Sequence, residues 1–322
     1  MDVRPPLMTT VMYHYVRPVA GSDYPRLKGL ELRDFLSQLD YLQTEYTIIS
    51  PGDLRSALTE AAPLPPRPCL LTFDDGYSDH FEHVFPVLAA RKLSGLFFAP
   101  WSSLIGRRVL EVNKIQFTLA NHPEPETLAD DLDALMTAEG VTDTEGLRAK
   151  HFAPNRFDGP GVAYVKRLLQ HALPPDLRTK LIERLFRRHV SADETAFAEE
   201  LYLTPEQARD MRAGGMEFGG HGDLHLWHGE ATAEELTKEI KGACAALSAI
   251  GAPVEGGFYS YPFGSHSPSV VKAVSDAGFT CGFTVEPELW PLNGDPMRIA
   301  RLDTNDLPRQ HRADCPWRAR VA

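Results

Sequence analysis

Residues 8–16 open the ordered pattern of the chain with an apolar run that reads as a buried strand, with His14 near its C-terminal end. The period then changes. Leu32, Phe35, Leu36, Leu39 and Leu42 recur at helical spacing, which predicts an amphipathic helix over residues 31–45. Residues 47–49 read as a short strand, and Pro51 with Asp53 opens another helix. A Pro-rich connection, residues 63–68, leads into a second apolar run, Leu70-Leu71-Thr72-Phe73, which stops at Asp74, Asp75 and Gly76. Residues 79–91 read as helix and 95–99 as strand. This alternation predicts a parallel sheet covered by helices.

The rhythm breaks over residues 102–203, where helical patterns such as 126–138, 162–173 and 176–189 are separated by Pro and Gly. This stretch reads as a helical insertion that shapes access or assembly. Its Arg184, Arg187 and Arg188 read as a solvated face. Alternation resumes at Thr204, a cap ahead of Pro205 at the first helical position. Strands are expected at 216–219, 257–261, 279–285 and 298–302, and helices at 232–249 and 267–277. A basic tail, residues 309–322, is expected to be poorly ordered.

Composition narrows the classes. The 322 residues are 43% hydrophobic and 24% charged, as in a globular protein. A net charge of −11 argues against sequence-independent binding to nucleic acid or to anionic membranes. No apolar run is long enough to span a bilayer, and the first residues do not resemble a signal peptide. Cys69, Cys244, Cys281 and Cys315 are scattered, which points away from a disulfide framework and towards a reduced, cytoplasmic setting.

Three polar clusters follow predicted strands. Asp74 and Asp75 cannot share one role on a continuous strand, because successive side chains point to opposite faces. At a strand end, one carboxylate can hold a metal while the other stays free as a base. A solvated Asp-Asp-Gly turn is the ordinary alternative, disfavoured by the apolar strand that feeds into it. His221 and His225, at i and i+4, would bring both rings to one side on a helical turn. Two imidazoles and a carboxylate make a three-ligand site with an open position, as catalytic zinc prefers. His228 reads as a surface or supporting residue. In Tyr259-Ser260-Tyr261-Pro262-Phe263-Gly264, Pro and Gly set a turn whose backbone N–H groups could form an oxyanion hole, with aromatics to stack on a sugar ring. An ordinary turn with core aromatics is the alternative reading.

Together these clusters resemble the polysaccharide deacetylase family, the NodB-homology metal-dependent de-N-acetylases. Thr72-Phe73-Asp74-Asp75-Gly76 matches the first motif, His221-Gly222-Asp223-Leu224-His225 the second, and Tyr261-Pro262-Phe263-Gly264 is similar to the third. The resemblance covers residues 8–100 and 204–303. It implies a distorted (β/α) barrel with its site at the strand C-terminal ends, Asp74 as general base, and Asp75, His221 and His225 as metal ligands. It also implies substrate or oxyanion contacts from Tyr261, Pro262 and Phe263.

Three positions depart from the family pattern. Gly222 stands in place of Ser or Thr. Phe258 stands where many members carry an arginine, so Arg298 or Arg301 is expected to orient the base. The C-terminal Leu-x-His motif is absent, and Met12-Tyr13-His14-Tyr15-Val16 looks like that motif moved to the N-terminus. That is the arrangement of the circularly permuted branch that includes the poly-N-acetylglucosamine deacetylases, and it gives His14 the general-acid role.

The expectation is a single catalytic domain, interrupted at about 102–203. Its implied activity is metal-dependent removal of an acetyl or formyl group from an N-acylated amino sugar, free in a glycan precursor or part of a glycan. One divalent ion is implied, Zn²⁺ first, with Co²⁺, Ni²⁺ or Mn²⁺ as substitutes. The rivals are an allantoinase-like or deformylase amide hydrolase on the same scaffold, and a non-catalytic carbohydrate-binding homologue.

Overall fold

The computed structural model describes residues 6–155 and 158–308; the expected tail, 309–322, lies outside the described residues. The chain divides into two compact units. Of the described residues, one comprises 6–18, 29–107 and 199–308, and the other 19–28, 108–155 and 158–198. The break in the rhythm therefore matches a helical unit, and that unit also recruits a segment from near the N-terminus.

The first unit is mixed α/β. Strand β1 (Leu7–Tyr13) pairs in parallel with β2 (Pro68–Phe73), β2 with β3 (Leu96–Phe98), and β3 with β4 (Glu217–Gly219). A second parallel pair, β5 (Gly257–Ser260) and β6 (Phe279–Phe283), joins β4 through a single Gly220–Tyr259 bridge. A bridge from Phe283 to Ile299 precedes β7 (Leu302–Asp303), which pairs in parallel with β1. Continuous apolar runs suit strands covered on both faces, and β2 is buried along its whole length.

Side-chain alternation sorts these strands into two faces. Tyr13, Phe73, Phe97 and Phe218 stack in a row on one face, with successive centroids 5.1, 4.6 and 5.6 Å apart. On the other face Leu70, Leu96, Phe98, Phe258, Cys281 and Phe283 form a second buried cluster. Thr72 and Asp74 follow Leu70 at two-residue steps, so they share its face. A strand period of two thereby carries one carboxylate to the end of this inner face.

Several expected boundaries move. β1 ends at Tyr13, and His14 lies just beyond it. The helix at 79–91 starts as a π turn, His80–Val84, before Phe85–Ala90. Pro86 cannot donate an N–H to the preceding turn, which accounts for the wider winding. The strand expected at 298–302 is shortened and shifted, to an Ile299 bridge and the strand Leu302–Asp303. Asp295 caps a 3₁₀ turn, Pro296–Arg298, by accepting from the Met297 amide at 2.9 Å, and pairing with β1 begins at Leu302. A short antiparallel pairing of Leu7 and Met8 with Pro291 and Trp290 was not expected.

The helical unit includes Glu111–Asn121, Leu128–Ala138, Thr144–His151, Pro160–Arg167 and Pro175–His189. Leu128, Leu132, Met136, Val165, Leu168, Leu181 and Leu185 are among its core residues. Tyr24 packs edge-on against Phe117 at 4.8 Å, which ties the 19–28 segment to this unit. Buried Lys114 is neutralised by Glu183 and by Glu194, the latter at 2.8 Å.

Candidate active site

The parallel register brings the C-terminal ends of β1 and β2 level, and the Asp74 amide donates to the Tyr13 carbonyl at 2.9 Å. Asp74 is buried and held by Arg301 through two parallel bonds, Nη1 to Oδ1 and Nη2 to Oδ2, each 2.8 Å. The same guanidinium donates to Thr72 Oγ1 at 3.2 Å, to Ser260 Oγ at 2.9 Å and, through Nε, to the Thr284 carbonyl at 2.8 Å. Ser260 Oγ donates in turn to Asp74 Oδ2 at 3.1 Å. Burial opposes ionisation of Asp74, but Arg301 and then His221 outweigh it and hold the carboxyl below its usual range. Of the two candidate arginines, Arg301 is the one that holds Asp74. Arg298 does not; it faces Glu286 at 3.5 Å on the surface.

Asp75 turns away from its neighbour because its backbone is left-handed, with φ 75°. Gly76 follows at φ 70°, and a Cβ there would lie 2.6 Å from the Ala99 Cβ, so the turn requires glycine. Tyr77 Oη donates to Asp75 Oδ2 at 2.5 Å. That leaves Oδ1 facing two imidazoles: His221 Nε2 at 3.3 Å and His225 Nε2 at 3.4 Å. His221 Nδ1 lies 2.7 Å from the Ser260 carbonyl. Donation there places the proton on Nδ1 and the lone pair of Nε2 towards Asp75.

His221 and His225 do not share a helical turn. They lie on an irregular loop, with Gly222 at φ 79° and His225 at φ 63°. Both values are incompatible with a right-handed helix. Buried Glu239 shapes this loop, accepting from the amides of Asp223 (3.2 Å), Leu224 (2.8 Å) and Leu226 (3.2 Å). A Cβ on residue 222 would lie 2.4 Å from Glu239 Oε2, so the departure at Gly222 is the space this carboxylate uses. Burial raises the Glu239 pKa, against the lowering effect of the three amides.

The third cluster differs from expectation. Tyr261 is fully buried and donates to the Met297 carbonyl at 3.1 Å, so it cannot stack on a sugar. Pro262 is buried and has no N–H. Phe263 sits at the turn with φ 56°, its ring stacked on Trp227 at 4.2 Å and edge-on to His225 at 4.5 Å. Asp75, His225 and Phe263 thus account for three of the seven positive-φ non-glycine residues among those described, and such strain clusters at functional sites. His14 follows β1, and its carbonyl meets His80 Nε2 at 3.0 Å. Burial opposes ionisation of Asp75, but His221, His225 and then His14 outweigh it and hold the carboxyl well below its usual range. His228 is not a surface residue: it is buried between Tyr259 Oη (2.6 Å) and the Leu226 carbonyl (2.9 Å), and burial pushes it down to about 4.

The arrangement fits a divalent ion. Asp75 Oδ1 and His221 Nε2 are buried with no hydrogen-bond partner among the described residues, an expensive state for polar atoms. Ligand atoms 2.0–2.1 Å from a tetrahedral zinc lie about 3.3–3.4 Å apart, the spacing seen here. Burial pushes His225 down to about 3, towards the neutral form a ligand needs. For His221, burial is outweighed by the Asp75 and Asp74 carboxylates, which raise its pKa, so binding a metal there would release a proton. Tyr77, Ser260 and Glu239 escaped the sequence reading. Glu239 carried one signal, a lone acid on the apolar face that Leu236, Ile240 and Ala243 mark out.

Residues 175–282 match the polysaccharide deacetylase family model. That stretch contains the histidine loop and the third cluster but not Asp74 or Asp75. No curated protein matches the sequence. The fold is shared with solved structures of low identity. Streptococcus pyogenes deacetylase PplD in complex with acetate is 15% identical, with 93% of this chain and 92% of that one covered at a TM-score of 0.55. IcaB from Ammonifex degensii is 19% identical, with the same coverages and TM-score. The BpsB deacetylase domain from Bordetella bronchiseptica is 16% identical, covering 94% and 98% at 0.56.

Proposed function

We propose that this chain, with the fold and motifs of the polysaccharide deacetylase family and a stretch matching its family model, is a metal-dependent carbohydrate de-N-acetylase. Its substrate on this reading is an N-acetylated amino sugar in a glycan or glycan precursor. The carrying observation is the division between adjacent acids. Asp74 is held ionised by Arg301, whereas Asp75 presents an unpartnered Oδ1 to two imidazoles. The family model match and the PplD, IcaB and BpsB neighbours support the same reading.

Asp75, His221 and His225 would hold the ion, Zn²⁺ first among candidates. When bound, a divalent ion supplies Lewis acidity and lowers the pKa of water. Asp74 takes the proton from the attacking water, its carboxylate aimed by Arg301 and Ser260. The Phe263 backbone N–H, presented by the left-handed turn, stabilises the oxyanion. His14 protonates the departing amine, so the products are acetate and a free amino sugar.

The test is acetate release from a panel of nucleotide-linked and oligomeric N-acetyl sugars, with and without chelator. Activity should follow a bell in pH, its acidic limb reporting Asp74 and its alkaline limb the acid. His14→Ala should keep its metal and lose far more turnover on acetamides than on an ester with a good leaving group. Equal losses on both would remove His14 from the acid role. No acetate from any sugar, with metal fully loaded, would overturn the reading.

A further inference from the structure

A second group of two imidazoles and a carboxylate lies within the helical unit. His122 directly follows the helix Glu111–Asn121, Asp131 sits in the first turn of Leu128–Ala138, and His189 ends Pro175–His189. Three helix ends meet at one oxygen: Asp131 Oδ2 lies 3.7 Å from His122 Nε2 and 3.5 Å from His189 Nε2. Both separations are too long for good hydrogen bonds. They sit just above the ~3.3–3.4 Å expected between two donors of one tetrahedral zinc. The rings meet edge to face, centroids 5.1 Å apart.

Two further observations point to a ligand. His189 Nε2 is buried and has no hydrogen-bond partner among the described residues, although it faces a carboxylate. His122 Nδ1 lies 2.8 Å from the Glu124 carbonyl, with the Glu124 amide farther off at 3.3 Å. In the tautomer that donates from Nδ1 to the carbonyl, the Nε2 lone pair faces Asp131, the usual support for a metal-bound imidazole; in the other, Nδ1 accepts from the Glu124 amide. The competing cation is Arg188, whose guanidinium is 3.9 Å from Asp131 Oδ2 but largely exposed.

We propose that His122, Asp131 and His189 form a second divalent-metal site of zinc type, which clips three helix ends together and takes no part in hydrolysis. Two imidazole nitrogens and one carboxylate oxygen supply the donors, and water completes the tetrahedron. The Asn121 side chain, which donates to the His189 carbonyl, already draws two of these ends together. This inference does not rest on the deacetylase reading.

The experiment uses the full chain, stripped with chelator and titrated with Zn²⁺ or Co²⁺ alone. The wild type should bind two equivalents by equilibrium dialysis. His189→Gln and His122→Gln should each weaken one equivalent by at least ~10–100-fold, with turnover on the wild-type substrate unchanged. His225→Gln should lose the other equivalent, so the two sites fail separately. If circular dichroism shows the His189 variant unfolded, His225→Gln still decides. Four-coordinate Co²⁺ absorption and a Tm raised by Zn²⁺ in that variant support the site; neither spectrum nor Tm shift overturns it. A wild-type second equivalent that survives both His122→Gln and His189→Gln, or no second equivalent at all, makes the cluster an ion-pair network only and overturns the proposal.

Discussion

In the sheet unit, two of the three clustered groups are gripped from behind: Asp75 by Tyr77 and His221 by the Ser260 carbonyl. In the helical unit the same donor types gather at Asp131, but a single ring, that of His122, has such a grip, and Arg188 stands close to the carboxylate. The sheet site sits in strained backbone, with Asp75 and His225 left-handed, whereas the helical cluster uses ordinary helix ends. Donor identity is therefore shared, and preorganisation is not. On the two proposals made above, strain and buried supporting bonds go with the site that would bind and react, and ordinary helix ends with the one that would only bind.

The strongest way to break this contrast is Asp75→Ala. It deletes the oxygen both imidazoles face, and metal at that site and acetate release should vanish together; full metal content in the variant would dissolve the assignment. Asp74→Asn is next. It keeps the shape, so metal should stay while turnover falls roughly 10²–10⁴-fold. A variant nearly as active as the parent would make Asp74 structural. Tyr77→Phe sharpens the comparison by stripping one supporting bond, and metal affinity should weaken about 10–100-fold, read by competition with a chromogenic chelator. Unchanged affinity would make the Tyr77 contact incidental.

The smallest effect concerns acid. His228, with a folded pKa of about 4 against an ordinary 6.5, is buried neutral. The unfolded chain binds this proton more readily, so stability from this group is full above about 6.5 and is lost as pH falls towards about 4. Urea midpoints should drop across that window, and less so in His228→Gln measured against its own value at neutral pH. A midpoint flat from pH 7 to 4 would contradict the buried neutral state.

Much of this was legible from residue order. Asp74 and Asp75 stood out because a buried parallel strand has no reason to end in two acids unless its edge does chemistry. Arg301 could be named only beside Arg298, as a substitute in space for the arginine missing at Phe258; it lies 227 positions from Asp74, and residue order did not choose between the two. The histidine loop was readable in composition but not in shape, since i and i+4 spacing says nothing of positive φ at Gly222 and His225. Tyr261 read as a sugar platform because burial is set by packing partners distant in sequence. The recruitment of residues 19–28 into the helical unit was likewise invisible, resting on Tyr24 meeting Phe117 and Phe197.

The Gly222–Glu239 pair has a consequence for how this chain can change. Returning Ser to position 222, as in the related motif, would drive its Cβ into the Glu239 carboxylate and force a side chain into left-handed backbone. Removing Glu239 first would leave three loop amides without their acceptor. Each step is therefore costly, and the steric part of the first depends on the second, so the two positions are coupled. An engineer borrowing the loop must therefore carry the helix that bears Glu239 with it.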